Sequence, residues 1–149
     1  MSEPGVARPG PGDDAVARLL GAMESGCRPS AGVFAADAVL DATVPHWRFT
    51  RHGEDAVRGT LAEWYRDRGR FESLSRTPLP TGELVEFMLS WEEDGIAHAA
   101  HQIHVLRLDD GQIIADTVFC GGRWPAALLA DMLEAEAAAC VWAAPSHSR

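Results

Sequence analysis

Residues 97–108 carry three histidines, His98, His101 and His104, spaced three apart; the run leads into Asp109-Asp110-Gly111 and then Gln112-Ile113-Ile114-Ala115-Asp116-Thr117-Val118-Phe119-Cys120. Two β-rich runs around an Asp-Gly signal predict a long hairpin. Such a hairpin fixes two paired strands that the rest of the chain must cover. It also places a histidine on one arm and an aspartate on the other, an acid–base pair that a pocket could use.

The flanking segments read by the same logic. Asp13 or Asp14 caps a helix to about Gly26, with Val16, Leu19, Leu20 and Met23 as its apolar stripe. Arg28-Pro29-Ser30 breaks that helix, and Ser30 caps a shorter one through Phe34. Residues 38–43 read as a strand closed by Val44-Pro45, and 44–53 as a loop holding His46, Trp47, Phe49 and His52. Residues 54–68 form a helix with Val57, Leu61 and Trp64/Tyr65 on one side. A strand follows over 71–79, then a Thr81-Gly82 turn, then 83–91, where Val85, Phe87, Leu89 and Trp91 share a face. Glu93-Asp94-Gly95 turns the chain into the histidine strand, Gly121-Gly122 ends the last strand, and Pro125 opens a final helix to about Trp142. Helices segregated from an antiparallel meander make an α+β fold. The expected form is a cone-shaped, curved antiparallel sheet packed on N-terminal helices, with an extra C-terminal helix. Its hollow is a natural small-molecule site.

At 149 residues the chain is long enough for one real core. A single domain is expected over 13–143, between a disordered Pro/Gly-rich leader over 1–12 and a disordered tail over 144–149. The leader has no apolar stretch of the kind a secretory signal needs. A net charge of −9 with no Lys/Arg run excludes nucleic acid and anionic membrane surfaces as partners. No apolar run approaches the ~18 residues of a membrane span. Cys27, Cys120 and Cys140 are odd in number and scattered, which fits a reducing cytoplasm and not a disulfide framework. Abundant alanine and arginine without lysine fit a high-GC bacterial genome.

Several local patterns, in order, resemble one superfamily. Phe34-Ala35-Ala36-Asp37-Ala38-Val39-Leu40-Asp41 resembles an "ADDA" entry into a first strand. Pro45 followed by Gly53-Glu54-Asp55-Ala56-Val57 resembles a "P…G-x-x-A-[IV]" loop and helix start. Arg107-Leu108-Asp109-Asp110-Gly111-Gln112-Ile113 resembles an "R-[FLV]-x-x-G-[KR]-I" hairpin. Together, over residues 14–124, the chain resembles the nuclear transport factor 2-like superfamily. That group includes SnoaL-like polyketide cyclases, ketosteroid isomerases, limonene epoxide hydrolase and scytalone dehydratase. The superfamily hosts enzymes, binding proteins and interaction domains, so fold does not decide function. Counting from the hairpin glycine, His104 resembles the position of an oxyanion-holding aspartate in ketosteroid isomerases. The catalytic aspartate of the cyclases and the epoxide hydrolase falls on Val118, with Asp116 two residues earlier on the same face. The isomerase base position falls on Ala42. Asp41 and Thr43 resemble the Tyr and Asn that hold a water in the epoxide hydrolase, whose Arg-x-Asp pair has no counterpart here. No member's full set of residues is present.

The residues themselves support a matching list. His98 and His104 share a strand face about 20 Å apart, and His101 points the other way, so they cannot share one metal ion. No metal and no cofactor is expected. The His104–Asp116 pair depends on hairpin register. With a two-residue loop His104 faces Thr117; with a type I turn and a glycine bulge it faces Asp116, and the second register aligns the leucines better. In that arrangement the carboxylate orients the imidazole. Asp41, near the expected cavity mouth, is the second acid–base candidate. Gln102, Tyr65, Trp64, Trp91, Thr43, His46, Val118 and Cys120 are the expected substrate-binding residues, and Arg123 lies at the rim. The resulting expectation is a cofactor-independent, homodimeric enzyme acting on a hydrophobic, oxygenated, polyketide- or terpenoid-like small molecule. The chemistry would be proton transfer: cyclisation, isomerisation, dehydration or epoxide opening. The alternative is a non-catalytic binding or dimeric interaction protein of the same fold. Dimerisation is expected through the outer sheet face, where His101, Ile103 and Val105 alternate.

Overall fold

Asp14 caps α1, Ala15–Ser25: its side chain accepts the Ala17 backbone N–H at 2.7 Å. The computed structural model describes residues 14–143, with side chains through 140, so the leader over 1–12 and the tail over 144–149 lie outside the described residues. Asp14 also binds Arg76, whose guanidinium reaches Glu83 as well. One network thereby ties the start of α1 to two strands. The predicted stripe of α1 is the buried one: Val16, Leu19, Leu20 and Met23 are nearly inaccessible. Gly26 ends the helix in the left-handed conformation at φ 69°.

The short helix expected from Ser30 does not form. The chain turns through Gly32 at φ 89°, and Phe34 is already in β1, Phe34–Val44. Pairing decides this: the Ile113 N–H donates to the Val33 carbonyl at 2.9 Å, while Val33 and Phe34 are buried. The loop expected over 44–53 is also corrected. Pro45-His46 makes a tight turn, with His46 at φ 63°, and β2, Trp47–His52, returns antiparallel along β1. β2 is an edge strand exposed along most of its length. It therefore has no alternation of apolar and polar residues to reveal it.

α2, Glu54–Trp64, buries Val57 and Leu61 and stops four residues short of the expected end. β3, Gly69–Leu79, β4, Gly82–Glu93, β5, Ile96–Asp109, and β6, Gln112–Cys120, follow as an antiparallel meander. The sheet order is β2-β1-β6-β5-β4-β3, and β7, Trp124–Pro125, pairs with β5. The sheet is mixed and not purely antiparallel, because β1 runs parallel to β6. It curls around α1 and α2 without closing. Phe34, Leu40, Phe87, Leu106 and Ile113 fill the space between, each worth roughly 1.5–3 kcal/mol of burial. α3, Ala126–Ala143, runs along β5 and β7, and of its residues 126–140 only Leu129 is half-buried. Among the described residues no helix is long and apolar enough to cross a membrane.

The hairpin register differs from both expected alternatives. Asp110 at φ 50° and Gly111 at φ 75° form a two-residue turn, with Asp109 paired to Gln112 and Leu108 to Ile113. Ile114 is then an extra residue on β6, a bulge that shifts the ladder so that Arg107 pairs with Ala115. His104 consequently pairs with Val118, and Asp116 with Leu106. The bulge restores the parity that a simple two-residue turn would have broken. His104 and Asp116 become diagonal neighbours on the inner face, close enough to touch.

Candidate small-molecule cavity

A cavity of about 330 Å³ opens between the end of α2 and the concave sheet. That is large enough for a compact drug-sized molecule. Strand alternation supplies one wall: Leu89 and Trp91 from β4, Ala100 and Gln102 from β5, and Cys120 from β6. Trp64 and Tyr65 come from the last turn of α2, Asp67 from the loop after it, Val44-Pro45 from the β1–β2 turn, and Gly122-Arg123 from beyond β6. Two wide indoles and aliphatic side chains make the interior chiefly apolar.

Behind the floor runs a buried polar chain. The His104 Nδ1–H donates to the Asp116 carboxylate, 2.9 Å from Oδ1 and 3.0 Å from Oδ2. His104 Nε2 lies 3.2 Å from both the Tyr65 hydroxyl and Gln102 Oε1. The Tyr65 hydroxyl donates to Gln102 Oε1, and the Gln102 amide nitrogen donates to Cys120 Sγ at 3.3 Å. Phe87 stacks on the imidazole at 5.5 Å and holds its plane. Among the described residues, Gln102, His104 and Asp116 are the buried polar or charged side chains, and they form one network.

The orientation of the Gln102 amide sets the proton count on the ring. As placed, Oε1 accepts from Tyr65 and from an Nε2–H, so the ring carries two protons against an ionised Asp116. Turned over, the amide would donate to the Tyr65 oxygen, Tyr65 would donate to Nε2, and the ring would be neutral. Both arrangements give the chain a complete set of partners. Burial, then the Asp116 and Cys120 charges, push the Tyr65 phenol well above its ordinary value of 10, against the opposing effects of the Gln102 bond and Arg123. Tyr65 is therefore an O–H donor and not a phenolate.

The structure divides the expected site residues into three groups. Tyr65, Trp64, Trp91, Gln102 and Cys120 line the cavity. His104 and Asp116 meet as expected, yet both are 1% exposed and stand behind Tyr65 and Gln102, off the wall. His104 thus lies off the cavity surface, with Tyr65 and Gln102 between the imidazole and the open space. The remaining four fall elsewhere. Asp41 is on the outer face, because the inward positions of β1 are Ala38, Leu40 and Ala42. There Arg48 of β2 grips it at 3.0 and 2.7 Å, and that bond holds its carboxyl below the ordinary value of 3.8 despite partial burial. Thr43 lies in an outer groove with Ile103 and Phe119. His46 is an exposed turn residue, and Val118 is wholly buried in the core. Of the other histidines, His98 stacks on Trp91 and His101 sits on the outer face beside Glu86.

Val44, Pro45, Leu89, Ala100 and Gly122 line the cavity without having been expected there, and Asp67 is the charged residue that the sequence did not reveal. It falls inside the span read as helix through 68, and only the early stop at Trp64 turns it into the wall. Among the described residues, two buried side-chain polar atoms lack a hydrogen bond within the protein, Asp67 Oδ2 and Trp91 Nε1. Both residues line this cavity. A buried polar group without a partner costs roughly 1–3 kcal/mol, so such atoms are rare without a reason.

The fold is shared with solved proteins. A Bacillus subtilis protein given a provisional isomerase name is 14% identical with a TM-score of 0.60, covering 72% of this chain and 84% of that one. A Catenulispora acidiphila protein with a ketosteroid isomerase-like fold, solved with trimethylamine, is 15% identical with a TM-score of 0.60, covering 73% and 86%. A Xanthomonas campestris protein given a provisional polyketide cyclase name is 17% identical with a TM-score of 0.55, covering 70% and 86%. No protein-family profile and no curated protein matches the sequence. The chain has the nuclear transport factor 2-like fold, an α+β architecture on which isomerase- and cyclase-named proteins are built.

Proposed function

We propose that this chain is a cofactor-independent enzyme acting on a hydrophobic, oxygenated small molecule by proton-transfer chemistry. Cyclisation, isomerisation, dehydration and epoxide opening are the reactions in that class. The observation that carries the reading is an apolar cavity whose floor is a phenol wired to a buried His–Asp pair. Tyr65 and Gln102 touch the substrate; His104 and Asp116 act through Tyr65. A substrate oxygen next to Tyr65 draws its O–H away from Gln102. An Nε2–H of His104 then donates to the Tyr65 oxygen, and Asp116 holds the ring in orientation. The phenol keeps its proton at neutral pH and so serves as a fixed hydrogen-bond donor to an oxygen that gains negative charge, while the proton that leaves carbon passes to solvent water at the cavity mouth, which returns one in the reverse step. Free cysteines at 27, 120 and 140 fit a cytoplasmic setting, and the half-exposed Phe119 beside Ile103 fits a homodimer through the outer face.

One feature favours a second reading, a non-catalytic binding protein: the imidazole is sealed from the cavity. Two generic reactions separate the readings. In deuterium oxide, wild type should speed deuterium uptake next to the carbonyl of 1-tetralone, or the opening of 1,2-epoxy-1,2,3,4-tetrahydronaphthalene. Tyr65→Phe should lower that rate by about 10²-fold, the usual loss of one such donor. Binding of both compounds with neither reaction accelerated would make the chain a binding protein.

A further inference from the structure

The cavity mouth carries a guanidinium that the proposed mechanism does not use. Of the described residues lining the cavity, Asp67 and Arg123 are the charged ones. Asp67 already has Arg66 Nε 3.7 Å from its Oδ2, whereas the Arg123 side chain is 42% exposed and belongs to the rim. Arg123 follows Gly121-Gly122, where β6 has ended, and it bridges two walls of the opening. Its Nη1 donates to the Trp64 carbonyl at 3.1 Å, its Nη2 donates to Glu93 Oε1 at 2.6 Å, and its central carbon lies 4.7 Å from the centre of the Trp91 ring. These contacts, from the end of α2 and from β4, fix the group in place, so little side-chain freedom is lost when it binds something. A guanidinium has five N–H donors. Two are engaged here; among the described residues nothing takes the Nε–H or the second hydrogen on either Nη.

Glu93 shows which charge this corner takes. Arg123 Nη2 at 2.6 Å, Arg66 Nη2 at 3.6 Å and His98 Nε2 at 3.9 Å converge on its carboxylate from three separate segments of the chain. The two guanidiniums face two carboxylates, those of Asp67 and Glu93, so the corner is near neutral on a chain of net charge −9, and a proton on His98 makes it positive. An anion is therefore not repelled here as it is over the rest of the molecule, while a cation meets Arg123 at close range. We infer that the cavity takes a compound with an apolar ring body and a carboxylate at the mouth, held by the open edge of Arg123, in addition to the oxygen held by Tyr65. This rests on the functional reading above and names its substrate class. The planar fork of a guanidinium suits the paired oxygens of a carboxylate better than a single hydroxyl. The two poles are also near each other. Trp64, whose carbonyl anchors Arg123, precedes Tyr65 directly, and although burial dominates and pushes the Tyr65 phenol up, the Arg123 charge acts against that rise. One two-ring compound can reach both.

The test is calorimetric titration of the folded protein with 1-tetralone and with matched derivatives of it. Each derivative carries a carboxylate, its methyl ester or an aminomethyl cation on the aromatic ring, at each of the three positions 5, 6 and 7 so that the reach to the mouth is scanned. In wild type at least one carboxylate should bind about 3- to 20-fold tighter than its own methyl ester, the worth of a charge-assisted contact at a partly exposed site. Arg123→Gln, which keeps an N–H for the Trp64 carbonyl, should erase that ratio and leave 1-tetralone unchanged. Glu93→Gln should raise the ratio, because Arg123 then has no competing carboxylate; a purely structural Arg123 would not give that gain. Three results overturn the inference: no carboxylate binding tighter than its ester in wild type, a ratio that survives in Arg123→Gln, and a ratio that Glu93→Gln fails to raise. An aminomethyl cation that binds wild type tighter than every carboxylate also overturns it. The wild-type comparisons stand alone, so a misfolded variant does not shield the idea. If 1-tetralone binds and a carboxylate adds nothing, only this inference fails. If no probe binds, the reading of the cavity as an apolar ligand site fails with it.

Discussion

Replacing His104 by leucine should strand a carboxylate in the core, and the structure sets the size of the effect. The two side chains are 1% and 0% exposed, and His104 Nδ1 meets both Asp116 carboxylate oxygens, at 2.9 and 3.0 Å. Breaking a buried pair from one side costs roughly 3–5 kcal/mol, because the remaining charge loses its partner without regaining water. Removing both groups costs far less, since an apolar pair of similar volume suits a pocket already lined by Phe87, Leu106 and Val118. His104→Leu should therefore lose about 3–5 kcal/mol in guanidinium unfolding, or roughly 6–20 °C in midpoint for a chain of this size. Asp116→Leu should lose about 1–3 kcal/mol, the cost of an imidazole N–H left unpartnered. The double variant should recover most of the loss, giving a coupling energy of at least about 2 kcal/mol in the cycle. Additive losses, or single losses below about 1 kcal/mol, would refute the description of this pair as a sealed, coupled unit.

Three further outcomes follow from the geometry. Asp41→Asn should leave probe binding unchanged. Because Arg48 depresses the Asp41 carboxyl, the stability it adds is present above the ordinary value of 3.8 and lost as pH falls below it, so the two proteins should converge in acid melts. Gly82→Ala should destabilise by about 3 kcal/mol in chemical unfolding, since a Cβ there would lie 1.8 Å from the Leu106 carbonyl oxygen. If the outer face joins two copies, light scattering should give twice 16.1 kDa for wild type and the single mass for Phe119→Glu; a wild-type monomer at micromolar concentration rejects the dimer.

How much was legible in the sequence follows from which physical signal each feature leaves. The α1 stripe, the inward face of β4 and both Asp-Gly turns are local: periodicity and left-handed backbone needs write them directly into residue type. These alone specify an α+β chain with a long hairpin, and the spacing of its motifs pointed to the fold. Partnership of His104 with Asp116 was also readable as two inward residues on paired strands, although through the wrong register. The bulge at Ile114 has no sequence mark, because an isoleucine suits a ladder position and a bulge alike, and only pairing with β1 on one side and β5 on the other places it. β2 escaped because an exposed edge strand buries neither face. Asp41 was misplaced by the same limit: a strand's alternation tells which residues share a face, but not which face looks inward, and Leu40 and Ala42 took the core. Tertiary packing alone brought Asp67 and Trp91 to one cavity from opposite sides of β3, and alone put Tyr65 between the imidazole and the space a ligand would fill. Contacts between residues far apart in sequence depend on how layers settle against one another, and no local pattern encodes that depth.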